Sequence, residues 1–405
     1  MKLLLIPLAL ALGTAAPCAL AIDLSGTVDV RAVSAGSSRS WTRAGLGKLR
    51  YDEHNDGLRL GQAILRADAE LADTVSATMV IDANDERSGL VDLTEAWLRW
   101  NPVPAGPWKT SVRAGVFFPA MSLENDGPGW TPTRTASTSA INSWLGEELR
   151  TVGIEASMVR RGRPVDSPHD IGVTVAIHKA NDPIGTLLTW RGWSISDRIS
   201  GVREPLLLAE LPVYRPDGPL RRQSRSIHMA RELDGRLGYQ AAVNYGYSGW
   251  LELSAMHYDN RADPLVVHDG QYAWRTRFNH LGARARDGQW EWMMQAMQGY
   301  TAMGRPGAAI DFWAAYLMAT RHIGPHSVSL RLDRFGATED DLIPADPNGE
   351  QGHALALAYV HQLAPSWSLV AEAVTLSSAR PARLLSGDAA RQREHSVTTA
   401  LRYRF

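Results

Sequence analysis

The chain has 405 residues, with 42 basic against 43 acidic side chains and one cysteine, Cys18. The near-neutral balance excludes the polycationic surface that binds nucleic acid, and a lone cysteine excludes both a disulfide framework and a thiolate metal centre. Beyond the N-terminal segment no apolar run approaches the ~18 to 20 residues that a spanning helix needs, so a membrane location would require a closed β-barrel.

Residues 1–21 read as a secretory leader: Lys2 is the charged start, Leu3 to Leu12 the apolar run, and Ala19-Leu20-Ala21 a small-residue cleavage site. Cys18 also permits a lipoprotein reading, but Pro17 fits such a cleavage box poorly. The mature chain is then expected to span 22–405 as a single domain.

From there one pattern recurs: about ten residues of period-two alternation, then a polar break. Leu24, Gly26, Val28, Val30 and Ala32 share one strand face while Ser25, Thr27, Asp29 and Arg31 share the other. The same alternation places Ile171, Val173, Val175 and Ile177 opposite Gly172, Thr174 and His178, and Val328, Leu330 and Leu332 opposite Ser329, Arg331 and Asp333. Strands are expected near 24–35, 58–71, 75–83, 91–100, 110–118, 149–160, 170–179, 237–247, 250–258, 272–286, 289–300, 310–322, 326–335, 353–363, 366–377 and 395–405. That makes an all-β fold of about sixteen antiparallel strands.

The breaks are expected to alternate strictly between tight turns, such as Asp287-Gly288, and long loops at 36–57, 119–148, 180–236, 336–352 and 378–394. Short periplasmic turns and long extracellular loops describe transmembrane barrels. Segments 310–322 and 353–363 are apolar on both faces, and the polar pattern of 272–286 changes parity near Asn279, which a β-bulge would explain. Trp97, Trp100, Tyr245, Tyr247, Trp250, Trp290, Trp292, Trp367 and Tyr403 fall near strand ends, where aromatic rings favour the lipid–water boundary.

Lysine occurs four times and arginine 38 times. On the polar faces, Arg31, Arg66, Arg99, Arg113, Arg275, Arg277 and Arg331 are the candidates to line a pore. Equally, they could pair with wall acids such as Asp29, Asp68, Glu70 and Asp333 and merely tie strands together. Enzyme motifs are absent, and His322 and His326 flank a Gly324-Pro325 turn rather than share a helix face. No catalytic residue, metal or cofactor is expected.

The last strand, with Val397, Thr399, Leu401, Tyr403 and Phe405 on one face, resembles the closing strand of outer-membrane barrels, whose terminal aromatics signal to the barrel-assembly machinery. Arg113-Ala-Gly-Val-Phe-Phe-Pro119, Ser122-Leu-Glu-Asn125, Gly127-Pro-Gly-Trp130 and Ser139-Ala-Ile-Asn-Ser-Trp144 resemble the bacterial porin superfamily that includes the phosphate-selective porins O and P. The resemblance implies a homotrimeric channel of the Gram-negative outer membrane, passing small hydrophilic solutes or ions. It also implies that 119–148 folds into the barrel after the fifth strand. Glu124, Asp126, Glu147 and Glu148 against a single Arg134 would make that loop an acidic constriction facing the wall arginines, a transverse field of the kind that selects ions. Two other readings stay open: a barrel scaffold carrying an enzymatic or adhesive surface on loop 180–236, and a soluble periplasmic binding protein.

Overall fold

The computed structural model describes residues 21–405 except Ser88, Arg305, Pro306, Leu342 and Pro344. The expected leader, 1–21, lies outside the described residues but for Ala21. Sixteen long strands form one closed barrel. They are β1 (Ile22–Gly36), β2 (Gly57–Ala72), β3 (Val75–Ala83), β4 (Val91–Trp100), β5 (Trp108–Phe117), β6 (Thr151–Arg160), β7 (His169–Lys179) and β8 (Gly238–Tyr247), followed by β9 (Leu251–Asp259), β10 (Arg275–Asp287), β11 (Trp290–Met303), β12 (Ala308–Ile323), β13 (His326–Glu339), β14 (Glu350–Ala364), β15 (Trp367–Ala379) and β16 (Arg391–Arg404). Each strand pairs antiparallel with its chain neighbours, and β16 returns to β1 through pairs running from Thr27–Arg404 to Gly36–His395. Closure is what lets a sheet sit in lipid, because each unpaired backbone group there costs several kcal/mol. Gly26 N–H donates to the Phe405 carbonyl (3.0 Å), extending the seam to the last residue.

The outward face is an apolar belt. On β7, Ile171, Val173, Val175 and Ile177 are all exposed. On β12 the outward residues run from Asp311 through Trp313, Ala315, Leu317 and Ala319 to Arg321. Ten residues of a tilted strand span ~25 Å, the height of the apolar band of such barrels. Trp290 stacks on Trp292, and Trp367 packs at a tilt against Tyr403 (4.7 Å), at the lower edge of the belt. Trp97 departs from the expected girdle: it is buried on the inward face, beneath the guanidinium of Arg99 at 4.3 Å.

Two expectations need correction. The connections are less regular than strict alternation, since 84–90 and 304–307 on the extracellular side are as short as some periplasmic turns. And β10 keeps a single parity, pairing with β9 and β11 without a register shift. Its inward residues are Thr276, Phe278, His280 and Arg284; Arg275, Arg277 and Asn279 stand on the outward side. The polarity flips, not the geometry: above the lipid belt the outer face meets water while the inner face meets other protein. Register shifts occur instead at Asp29/Val30, Glu70/Ala72, Val80/Ile81 and Gln362/Ala364.

Candidate functional site

Residues 118–150 fold into the barrel and end in helix α1 (Ala140–Glu148), capped by the Ser139 hydroxyl accepting from Asn142 N–H at 3.3 Å. The segment is tied to walls on all sides. Gln295 on β11 donates to the Met121 carbonyl (2.9 Å), and Arg402 on β16 to that of Pro132 (3.0 Å). Glu372 on β15 accepts from Ala136 N–H (3.1 Å). Gly129, at φ +63°, lies so close to β2 and β3 that a Cβ there would stand 2.4 Å from Ile64 Cγ2, so only glycine fits.

Arg331 is the main clasp. Fully buried, it donates to Asp333 (2.9 Å), Glu124 (3.3 Å) and the carbonyls of Ser137 (2.7 Å) and Thr138 (3.0 Å). Glu124 in turn accepts from Ser139 N–H (2.8 Å) and the Asn142 amide (2.6 Å).

A second inserted segment, which the sequence reading left on the outer surface, comes from the first third of loop 180–236. It carries helix α2 (Thr186–Trp190), and Trp193 donates from Nε1 to the Gly336 carbonyl at 3.1 Å. Asp197 accepts from Arg31 and Arg50, both at 2.8 Å. With Trp144, whose ring meets Phe278, Phe312 and Trp193 edge-on at 5.3 to 5.9 Å, these residues build an apolar core inside the upper barrel. That core explains the two-faced strands: Ile310, Phe312, Ala314, Tyr316 and Met318 face packed loop instead of water.

The expected acidic constriction is therefore mostly internal wiring. Glu124, Glu147 and Glu148 are buried, and only Asp126 is exposed. Glu147 is held by Arg191 and Arg198. Glu148 accepts from the Trp144 indole and from the N–H groups of Leu187 and Gly185 at the start of α2. Burial pushes its carboxyl up to about 7 in spite of those donors. Arg134 bridges Asp126 (2.9 Å) and Glu291 on β11.

The arginines divide into three groups. Arg31, paired with Asp29 and Asp197, and Arg331 are inward but buried beneath the loops. Arg275 and Arg277 are outward, Arg275 pairing with Asp259 (2.8 Å) and Arg277 lying beside the Tyr300 ring. Arg66, Arg99 and Arg113 are inward and partly exposed in the periplasmic half. Arg66 pairs with Asp68 (2.6 Å) and Arg113 with Glu155 (2.7 Å), whereas Arg99 has no ion pair among the described residues.

Arg284 and Arg286, with Glu252 and Glu291, charge the opposite wall, although neither was among the residues expected to line the pore. Arg150 was missed too. It is buried over the Phe118 ring at 3.8 Å and, among the described residues, donates only to carbonyl and hydroxyl oxygens of its own and the second loop. Near the extracellular entrance a cavity of about 190 Å³ is lined by Trp41, Glu86, Glu147, Arg191, Arg198 and Glu204.

A closed sixteen-stranded antiparallel barrel with a lipid-facing apolar belt and inserted loops is an outer-membrane barrel of porin-like fold. Solved structures share the architecture. OmpT of Vibrio cholerae lacking loop L8, an outer membrane protein, matches with a TM-score of 0.55 and 9% identity over 96% of this chain and 100% of that one. The anion-selective porin from Comamonas acidovorans matches with a TM-score of 0.53 and 14% identity over 95% and 100% of the two chains. OmpF of Salmonella typhi, in complex with daunomycin, matches with a TM-score of 0.51 and 9% identity over 95% and 97%. No family model matches the sequence, and no curated protein matches it.

Proposed function

We propose that the protein is a porin, a water-filled channel through which small hydrophilic solutes or ions diffuse down their gradients without a chemical step. One observation carries the reading: on the inward face of the closed barrel, Arg66 and Asp68 have side chains 35% exposed, and Arg286 and Glu252 43% and 42%. Ionised groups that open inside a membrane barrel require water there, since desolvating them would be prohibitive. Arg99, with no ion pair among the described residues, adds positive charge beside Arg113 and favours anions. The fold shared with an anion-selective porin is consistent with that preference.

Phosphate selection in particular rests on about forty residues of wording, and a lysine ladder is missing from the chain. The homotrimer and the recognition of Tyr403 and Phe405 by the assembly machinery belong to the same proposal. The scaffold alternative is weakened by the burial of 184–200 in the lumen, which leaves a smaller outer surface on that loop.

Planar-bilayer recording tests the channel. The purified protein should conduct in KCl, with a reversal potential on the anion side that Arg99→Gln and Arg113→Gln move toward cations. Glu124→Gln should leave the reversal potential unchanged, because Glu124 touches no water. A folded barrel with no conductance would favour the scaffold reading.

A further inference from the structure

The outward wall over β13 to β16 carries charge that the channel does not use. Arg334 stands opposite His353, His353 opposite Ser377, and Ser377 opposite Arg393, so one rung crosses four strands. Arg391 projects from the same face two residues further up β16. All three arginines are exposed, and none forms an ion pair among the described residues. A groove of about 640 Å³ follows this rung. Directly below it, where Leu332 faces Leu355, a second groove of about 550 Å³ is walled by apolar side chains and shares Arg334, His353 and Ser377 with the first.

Height decides what belongs there. On β13 the outward apolar residues are only Val328, Leu330 and Leu332, so the Arg334 guanidinium stands directly above the apolar stretch of that strand, beside Ala315 of the β12 belt. A charge without a partner is unfavourable at that depth. An anionic headgroup offers bidentate oxygens to a guanidinium, and its acyl chains would continue down the leucine groove.

We propose that this wall binds a phosphate-bearing lipid of the outer leaflet, with its phosphates on the Arg334–Arg393 rung and its acyl chains against Leu332 and Leu355. A second copy facing this wall across a two-fold axis is a poorer occupant, because it would set like charges against each other. Free phosphate would leave the apolar groove unused.

Native mass spectrometry of the detergent-solubilised full chain tests this, with lipid A (an acylated glucosamine disaccharide bisphosphate) as the probe and its dephosphorylated form as the comparison. The wild type should retain the bisphosphate about tenfold more tightly than the phosphate-free form, the scale of one lost charge-assisted contact. Arg334→Gln/Arg393→Gln, checked for folding by heat-modifiable migration, should lower retention by a similar factor. Equal retention of both lipids by the wild type would overturn the proposal without any variant. So would unchanged retention by the folded double variant, or a variant that loses only its self-association.

Discussion

The two halves of the barrel interior are built on opposite principles. Toward the extracellular side the inward face is apolar or ion-paired, and two loop segments fill the space: Arg31 and Arg331 are each paired with two carboxylates there, and Trp144 is wholly buried. Toward the periplasm the same alternation leaves Arg66, Arg99, Arg113 and Arg286 partly exposed. Inward position alone does not make a residue pore-lining. A side chain on the inner wall meets water only where no loop reaches it, so conduction is decided by the path of residues 118–150 and 184–200.

The strongest way to break the comparison is to unclasp the upper half. Arg331→Met should strand Glu124 and Asp333 without their cation, a loss of about 3–5 kcal/mol when one partner of a buried pair is removed. The inserted loop should then leave its seat. Larger single-channel conductance and a tryptophan emission shift from Trp144 would report it, whereas wild-type conductance with a stable fold would show that the clasp is not limiting.

Thiol labelling draws the boundary between the halves without disturbing either. Cysteines at Ser157 and Thr174, inward and partly exposed, should react with a membrane-impermeant reagent. Cysteines at Thr27, inward but buried, and at Val173, on the lipid face, should not. A reactive Thr27 position would mean that the inserted loop leaves that stretch of wall wet.

The smallest expected effect comes from pH. Burial raises the Glu148 carboxyl to about 7, so the docked loop holds that proton more tightly than the free loop does. Its contribution to docking is then full below the free-loop value of about 4.5 and is lost as pH rises toward 7. Conductance fluctuations should therefore be more frequent at pH 8 than at pH 5, and Glu148→Gln should flatten that dependence. Fluctuations that are equally frequent at both pH values in the wild type would remove Glu148 from the account.

Much of this was legible from the chain, and the failures have a common cause. Each expected strand corresponds to an observed one within a few residues, from Ile22–Gly36 to Arg391–Arg404. The misread parity of β10 and the apparent acidic constriction both came from treating polarity as a label for the lumen. Arg277 is polar because it stands above the lipid, and Phe278 is apolar because Trp144 covers it. Glu124 looked like a free charge because its partner Arg331 lies 207 residues away.

By itself the sequence determined the number and order of the strands, the closure of β16 on β1 and the face that meets the membrane. These follow from a period-two signal that each segment carries locally, enforced by one uniform solvent, the lipid, around the whole outer wall. Only the tertiary structure decided which inward charges are wet and which are spent holding the loops. The inner wall has no uniform solvent: each position meets either water or a loop arriving from a distant part of the chain, and no local pattern records which.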